Sequence, residues 1–252
     1  MAFQLRREEV IGTDAFGQML EQSPAKAAQA LLMASAEGVV EAQALLGQIL
    51  LDGRGIEQDA VLARRWFGIA AQQGSVMAHN MLGRCLEHGW GGEVDVTQAA
   101  RHYREAANGG LDWGLYNLAN LLATGRGVAL DHGVALACYR RAADLGHAKS
   151  MNLLGRYLEE GQHCQADVSA AREWYRRSAE GGDFRGQFSH AAILAGQGLL
   201  DEALGWLQRA LEGGNANFLR VAGPALEQAA QAEIRAMAGA YKARLASISA
   251  AS

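Results

Sequence analysis

The chain has 252 residues, half of them hydrophobic and a fifth charged, with a net charge of −4 and a pI near 6.0. That charge offers no pull toward nucleic acid or an anionic membrane surface, and no apolar run reaches the roughly 20 residues that cross a bilayer. Two prolines against 31 glycines suit a helical protein with many regularly placed helix ends, because glycine supplies the left-handed residue that follows a helix.

The opening MAFQLRREEVIG lacks the apolar segment and cleavage site of a signal peptide. Three cysteines without framework spacing point to a reducing compartment. The expectation is a soluble cytoplasmic protein of bacterial style. Residues 1–15 show no periodicity, and 1–23 read as an N-terminal arm and partial cap, with a short helix over Phe16–Gln22. Ser23-Pro24 is a helix start, since serine accepts from free amides and proline fits the first helical position. The helix that follows carries Ala27, Leu31 and Ala34 on one face and ends at Gly38.

From Val39 the chain repeats. Ala42, Leu46, Ile49 and Leu50 form one helical stripe, Gly53 and Gly55 break it, and Ala63, Trp66, Phe67, Ala70 and Ala71 form a second. Gly38, Gly74, Gly110, Gly146 and Gly182 recur every 36 residues and close the second helices. Gly47, Gly83, Ala119, Gly155 and Ala191 share a column in the first helices, where small side chains let neighbours approach. Asp59, Asp95, Asp131 and Asp167 precede the second helices as caps. The aromatic pair Trp66-Phe67 returns as His102-Tyr103, Cys138-Tyr139 and Trp174-Tyr175. One such hairpin cannot bury its own stripe, so each packs on the next and the core runs along the array.

Four regular units thus fill 39–182 within a repeat region of 24–214. The unit at 183–214 is four residues shorter and lacks the double-glycine turn. Residues 215–252 read as C-terminal capping helices, one of them starting at Pro224 with Leu226, Ala230, Ile234, Met237, Tyr241 and Leu245 along a stripe. A terminal cap over the exposed core is the first reading of that stripe, and a dimerisation helix is the alternative.

At Ala42, Leu46-Gly47, Gly53-Arg54-Gly55, Asp59, Ala63, Trp66-Phe67, Ala70-Ala71 and Gly74, and at their counterparts in the next three units, the sequence resembles the Sel1-like repeat family, relatives of tetratricopeptide repeats. The resemblance spans about residues 24–214. The shortened unit looks more like a tetratricopeptide repeat, and His102 and Cys138 stand where a tryptophan is usual. The resemblance implies an all-α fold, an α/α-superhelix or solenoid, used as an adaptor or scaffold. Some secreted relatives staple each repeat with a cysteine pair, and Cys85, Cys138 and Cys164, in different units, do not follow that pattern.

By analogy with tetratricopeptide arrays the first helices line the concave side. At 100° per residue Ala42, Leu46, Ile49 and Leu50 point one way and Glu41, Ala44 and Gln48 the other. Steps of 36 carry that outer trio to Met77, Asn80 and Arg84; to Trp113, Tyr116 and Asn120; to Lys149, Asn152 and Arg156; and to Arg185, Phe188 and Ala192. On this face Trp113, Tyr116 and Phe188 are expected as anchors. Asn80, Asn120 and Asn152 are expected as clamps on a peptide backbone, and Arg84, Lys149, Arg156 and Arg185 as contacts for an acidic or carboxylate feature. The competing reading is a solvated face that happens to carry these residues.

Other chemistry finds little footing. The arginines of the second helices alternate with Glu105, Asp144, Glu173 and Glu180, which suits a solvated convex face better than a nucleic-acid ladder. His79, Cys85 and His88 share a helix, but Cys85 falls in a core column and at most two ligands remain, short of the four of a closed zinc site. His190 replaces a core leucine and reads as a partly buried histidine. There is no phosphate loop and no nucleophile elbow. The chain is therefore expected to use no metal or other cofactor and no catalytic residue. Its expected partner is a protein or peptide, neither nucleic acid nor membrane. An oligomeric scaffold built through the C-terminal helix is the second reading, and an enzyme of unknown reaction the weakest.

Overall fold

The computed structural model describes residues 17–18 and 21–250. The arm expected over 1–15 lies outside them, and of the short helix expected over Phe16–Gln22 only Gly17, Gln18, Glu21 and Gln22 are described, all helical. The fold is all-α, a solenoid of helical hairpins, in two compact units, Met1–Asp131 and His132–Ser252.

In the first unit α1 (Pro24–Ala36) is followed by the hairpins α2 (Val40–Asp52) with α3 (Ala60–Gln72) and α4 (Val76–His88) with α5 (Val96–Asn108), and then by α6 (Asp112–Thr124). Each element packs on the next in chain order. The second unit begins with α7 (His132–Asp144). It continues through α8 (Ala148–Glu160) with α9 (Val168–Glu180) and α10 (Phe184–Gly196) with α11 (Leu200–Gly213), and ends with α12 (Ala216–Glu227), α13 (Ala232–Ala236) and α14 (Ala238–Ala250).

The helix ends follow from the sequence. Asp59, Asp95 and Asp167 accept from the backbone N–H three residues on, at 2.8–2.9 Å, satisfying amides that the first helical turn leaves free. The second glycine of each turn is constrained twice. Gly91 has φ +72°, and a Cβ there would lie 2.0 Å from the carbonyl oxygen of Ala60. In the second unit His163 occupies this position in the left-handed region (φ 58°) and stacks on His132 with ring centroids 3.9 Å apart.

The glycine column of the first helices sets how closely a hairpin closes. A Cβ at Gly47 would stand 2.7 Å from the Phe67 ring, one at Gly83 2.7 Å from Tyr103, and one at Gly155 2.8 Å from Tyr175. Each ring therefore lies against the bare backbone of the facing helix. Phe67 and Tyr103 are fully buried, and burial of a side chain this large contributes about 1.5–3 kcal/mol.

The C-terminal region differs from expectation. Pro224 does not start a helix; it sits inside α12, whose start is set by Asn215 accepting from Phe218 N–H at 2.9 Å. The chain then breaks over 228–231, so the expected single stripe comes from three helices. Leu226, Ile234 and Tyr241 still share one core with Leu207, Leu211 and Leu219. Tyr241 is fully buried and its hydroxyl donates to the Leu207 carbonyl at 2.7 Å. A proline inside α12 removes one helical hydrogen bond, and the helix ends three residues later at Glu227.

Candidate functional site: the outer face of the first helices

In the first unit the face carries an apolar and aromatic strip. Met77 on α4 is 53% exposed and Trp113, in the same column of α6, is 42% exposed. Tyr116, one turn on, meets Trp113 edge to face with ring centroids 6.0 Å apart. Arg84 lies over the Trp90 ring at 4.9 Å and reaches the sulfur of Met81, while His88 stands 5.0 Å from the same ring. Trp90, in the turn after α4, is half-buried and packs on the core, so it supports Arg84 from below. Asn120 is half-buried near the C-terminal end of the strip.

In the second unit the face is more cationic. Lys149 is half-buried and Arg156 is exposed, paired at 3.7 Å with Glu160 on the same helix, a contact worth little in water. Arg185 is exposed and stacks on Phe184 at 4.6 Å. Phe188 turns inward. It packs on the terminal core, edge to face with Phe218 at 5.6 Å. With Ala192, Leu207, Leu226 and Ile234 it lines an apolar cavity of about 370 Å³.

Two expected backbone clamps are not on the face. Asn80 and Asn152 are 4% and 3% exposed. Asn80 Oδ1 accepts from Asn117 Nδ2 at 2.9 Å, and Asn152 Oδ1 accepts from Ser189 Oγ at 3.3 Å. Each bond joins a first helix to the next one along the array. The helical wheel fails here for a physical reason. It divides an isolated helix into a buried and a free half, whereas a first helix in a stack touches its hairpin partner and a neighbour on each side. The first column of the trio stays open at Met77 and Trp113, whereas the middle column turns into the stack at Ala44, Asn80 and Asn152 and stays half-buried at Tyr116. Phe188 belongs to that same middle column.

Elsewhere, burial pushes the Cys85 thiol up to about 11, making it a packed and unreactive group. Burial, and then the neighbouring His79, lowers His102; burial, and then Arg176, lowers His190, whose ring meets Trp206 edge to face. Among the described residues no three His, Cys, Asp or Glu side chains gather in a metal-holding group. None of the described helices is long and apolar enough to cross a membrane. The second-helix arginines find local partners where contacts exist: Arg64 donates to the Glu93 carbonyl, and Arg176 is bracketed by Glu173 and Glu180.

Sequence reasoning missed three features. These are the interhelical Asn80–Asn117 bond, the support of Arg84 by Trp90, and the hydroxyl–carboxylate pairs Tyr103–Glu87 and Tyr175–Glu159, both at 2.7 Å. The last left a signal within the chain. Where the ring is Phe67, which has no hydroxyl, the partner column holds Leu51; where it is Tyr103 or Tyr175, the column holds Glu87 or Glu159, although Tyr139 stands opposite Ala123 and departs from the pairing.

Comparison with known proteins gives a consistent result. A family model described as Sel1 repeat matches residues 40–75, 76–111, 114–147, 148–183 and 200–215. A Sel1 repeat protein from Oxalobacter formigenes is similar in structure, with a TM-score of 0.75 at 24% identity, covering 92% of this chain and 99% of that one. A protective antigen present in uropathogenic Escherichia coli strains, displaying an SLR fold, has a TM-score of 0.69 at 27% identity over 93% of this chain; the chain spans 53% of that antigen's length. An immunity protein from Pseudomonas aeruginosa shares the fold at 14% identity and a TM-score of 0.53. No curated protein matches the sequence.

Proposed function

Because the chain belongs to the Sel1 repeat family, whose members generally mediate protein–protein interaction and are typically non-enzymatic scaffolds, we propose that it is an adaptor that binds an extended partner segment on the outer, concave face of its first helices. The observation that carries this reading is the Trp113–Tyr116 pair. A tryptophan 42% exposed beside a tyrosine, away from the core and in the column that also exposes Met77, offers rigid apolar contact area of the kind that dominates binding energy.

Arg84 adds a guanidinium held in place by Trp90, so little side-chain entropy is lost when it meets a carboxylate. Lys149, Arg156 and Arg185 give the second unit a cationic face suited to acidic side chains or a chain-terminal carboxylate. Asn80 and Asn152 bond within the stack and are not part of this surface.

The test is partner capture from the native host extract by wild type and by a W113A/Y116A double variant, with circular dichroism confirming an unchanged fold. The expected result is loss of the specific partner from the double variant. A partner retained at wild-type yield would remove this face from consideration.

A further inference from the structure

His79 of α4 and His102 of α5 face each other across one hairpin, with their Nδ1 atoms 3.0 Å apart and ring centroids 5.2 Å apart. Both side chains are half-buried. The repeat does not need histidine in either column: α2 and α3 place Gln43 and Trp66 there, and α8 and α9 place Met151 and Trp174.

We propose that His79 and His102 form a two-donor binding site for a divalent transition ion of planar preference, copper(II) or nickel(II), with solvent completing the coordination. Imidazole nitrogen binds such ions at about 2.0–2.1 Å, so two cis donors at a right angle lie about 2.9 Å apart, and two tetrahedral donors about 3.3 Å apart. The observed 3.0 Å is close to the planar value, so the two helices already hold the rings at the chelating distance. The two nitrogens now point at each other along a hydrogen bond; binding turns the rings about their Cβ–Cγ bonds so that both lone pairs converge on one ion, the 3.0 Å separation adjusting as they turn.

In the ion-free pair one Nδ1 carries the hydrogen-bonded proton and the other accepts it. On binding, that proton passes to Nε2 of its own ring through solvent, which frees both Nδ1 lone pairs without net proton loss from the neutral pair. His102, though not His79, also borders an open depression with Arg64, Leu82, Leu86, Glu93, Asp95 and Gln98, in which the two carboxylates favour a cation and Arg64 opposes it. Two protein donors match the planar ions better than zinc, whose closed sites take four, and copper(II) heads the affinity order for nitrogen sites.

The test is calorimetric titration of the full chain with nickel(II) and copper(II) in a non-chelating buffer. The variants are H79Q and H102W, which install the chain's own residues from the α2–α3 hairpin, and H88Q as a histidine outside the pair. The expected result is one ion per chain, at least tenfold weaker binding in H79Q and in H102W, and unchanged binding in H88Q. Copper(II) electron paramagnetic resonance should show two equatorial nitrogens in wild type and fewer in the pair variants. If H102W does not fold, H79Q alone decides. No wild-type binding up to millimolar ion, or equal binding in the pair variants, would overturn the proposal and leave the pair as a hydrogen bond.

Discussion

The hydroxyl of Tyr103 on α5 donates to Glu87 Oε2 on α4 at 2.7 Å, closing the hairpin with a hydrogen bond at the edge of its core. Glu87 also pairs with Arg126 at 3.0 Å. The bond is dispensable as a design, because the α2–α3 hairpin uses Leu51 and Phe67 in the same two columns. Once the tyrosine is present it is not dispensable, since its oxygen is buried with the ring.

Glu87→Leu alone should therefore destabilise the protein by about 1–3 kcal/mol, the cost of leaving a buried hydroxyl without an acceptor. Adding Tyr103→Phe should restore most of that loss, giving a coupling of about 1–2 kcal/mol. Urea unfolding of the two singles and the double measures it. Additive losses would show that the two columns are independent.

Alkaline pH offers a second check. Burial pushes the phenols of Tyr103, Tyr175 and Tyr241 well above their ordinary value of 10, and for the first two the carboxylate partner adds to the effect. A group whose folded value is raised contributes stability that is fully present below pH 10 and is lost as the pH climbs above it. These three should ionise only together with unfolding. Absorbance at 295 nm should then show a delayed, cooperative step that coincides with loss of helical circular dichroism. A smooth titration of these three, with helix retained, would contradict the burial argument.

Asn80 separates packing within the stack from recognition on the face. Asn80→Ala leaves the Asn117 amide without its interhelical partner and should cost about 1–3 kcal/mol of stability, read from chemical denaturation. Partner binding by the folded variant should be unchanged. A variant of full stability with lost binding would return Asn80 to the recognition surface.

Asp183 caps α10 through Gly186 N–H at 3.0 Å while its Oδ1 is buried without a hydrogen bond. Burial raises its carboxyl above the ordinary range, against the opposing pull of the Gly186 bond, Arg185 and Lys149. The sign follows from the raised value: the contribution is fully present below the unfolded pKa of 3.8 and is lost as the pH rises through the folded value. Asp183→Asn keeps a cap oxygen and removes the charge. It should be the more stable protein at neutral pH, with an advantage that shrinks on acidification toward about pH 3. Melting temperatures across that range check it, and a constant difference would argue against a desolvated carboxylate.

Much of this architecture can be read from residue spacing. Gly53 and Gly89 as helix ends, Asp59 and Asp95 as caps, and Ala63, Phe67 and Tyr103 as core all follow from local rules, because a helix end or a 3.6-residue stripe is dictated within a few residues. That is why the repeat and the all-α fold are legible in the sequence, while the family rests on the resemblance of its motif residues. What tertiary structure decided lies wherever a residue has more than one neighbour to choose from. Asn80 and Asn152 sit on the outward half of an isolated wheel, yet the next helix of the stack covers them. Phe188 is drawn into the terminal core, where Phe218 of α12 and, beyond the break, Tyr241 of α14 pack against it. The His79–His102 contact joins residues 23 positions apart through a hairpin angle that no local pattern encodes. Periodicity tells which side of a helix is apolar; only packing tells how many of its other sides are already taken.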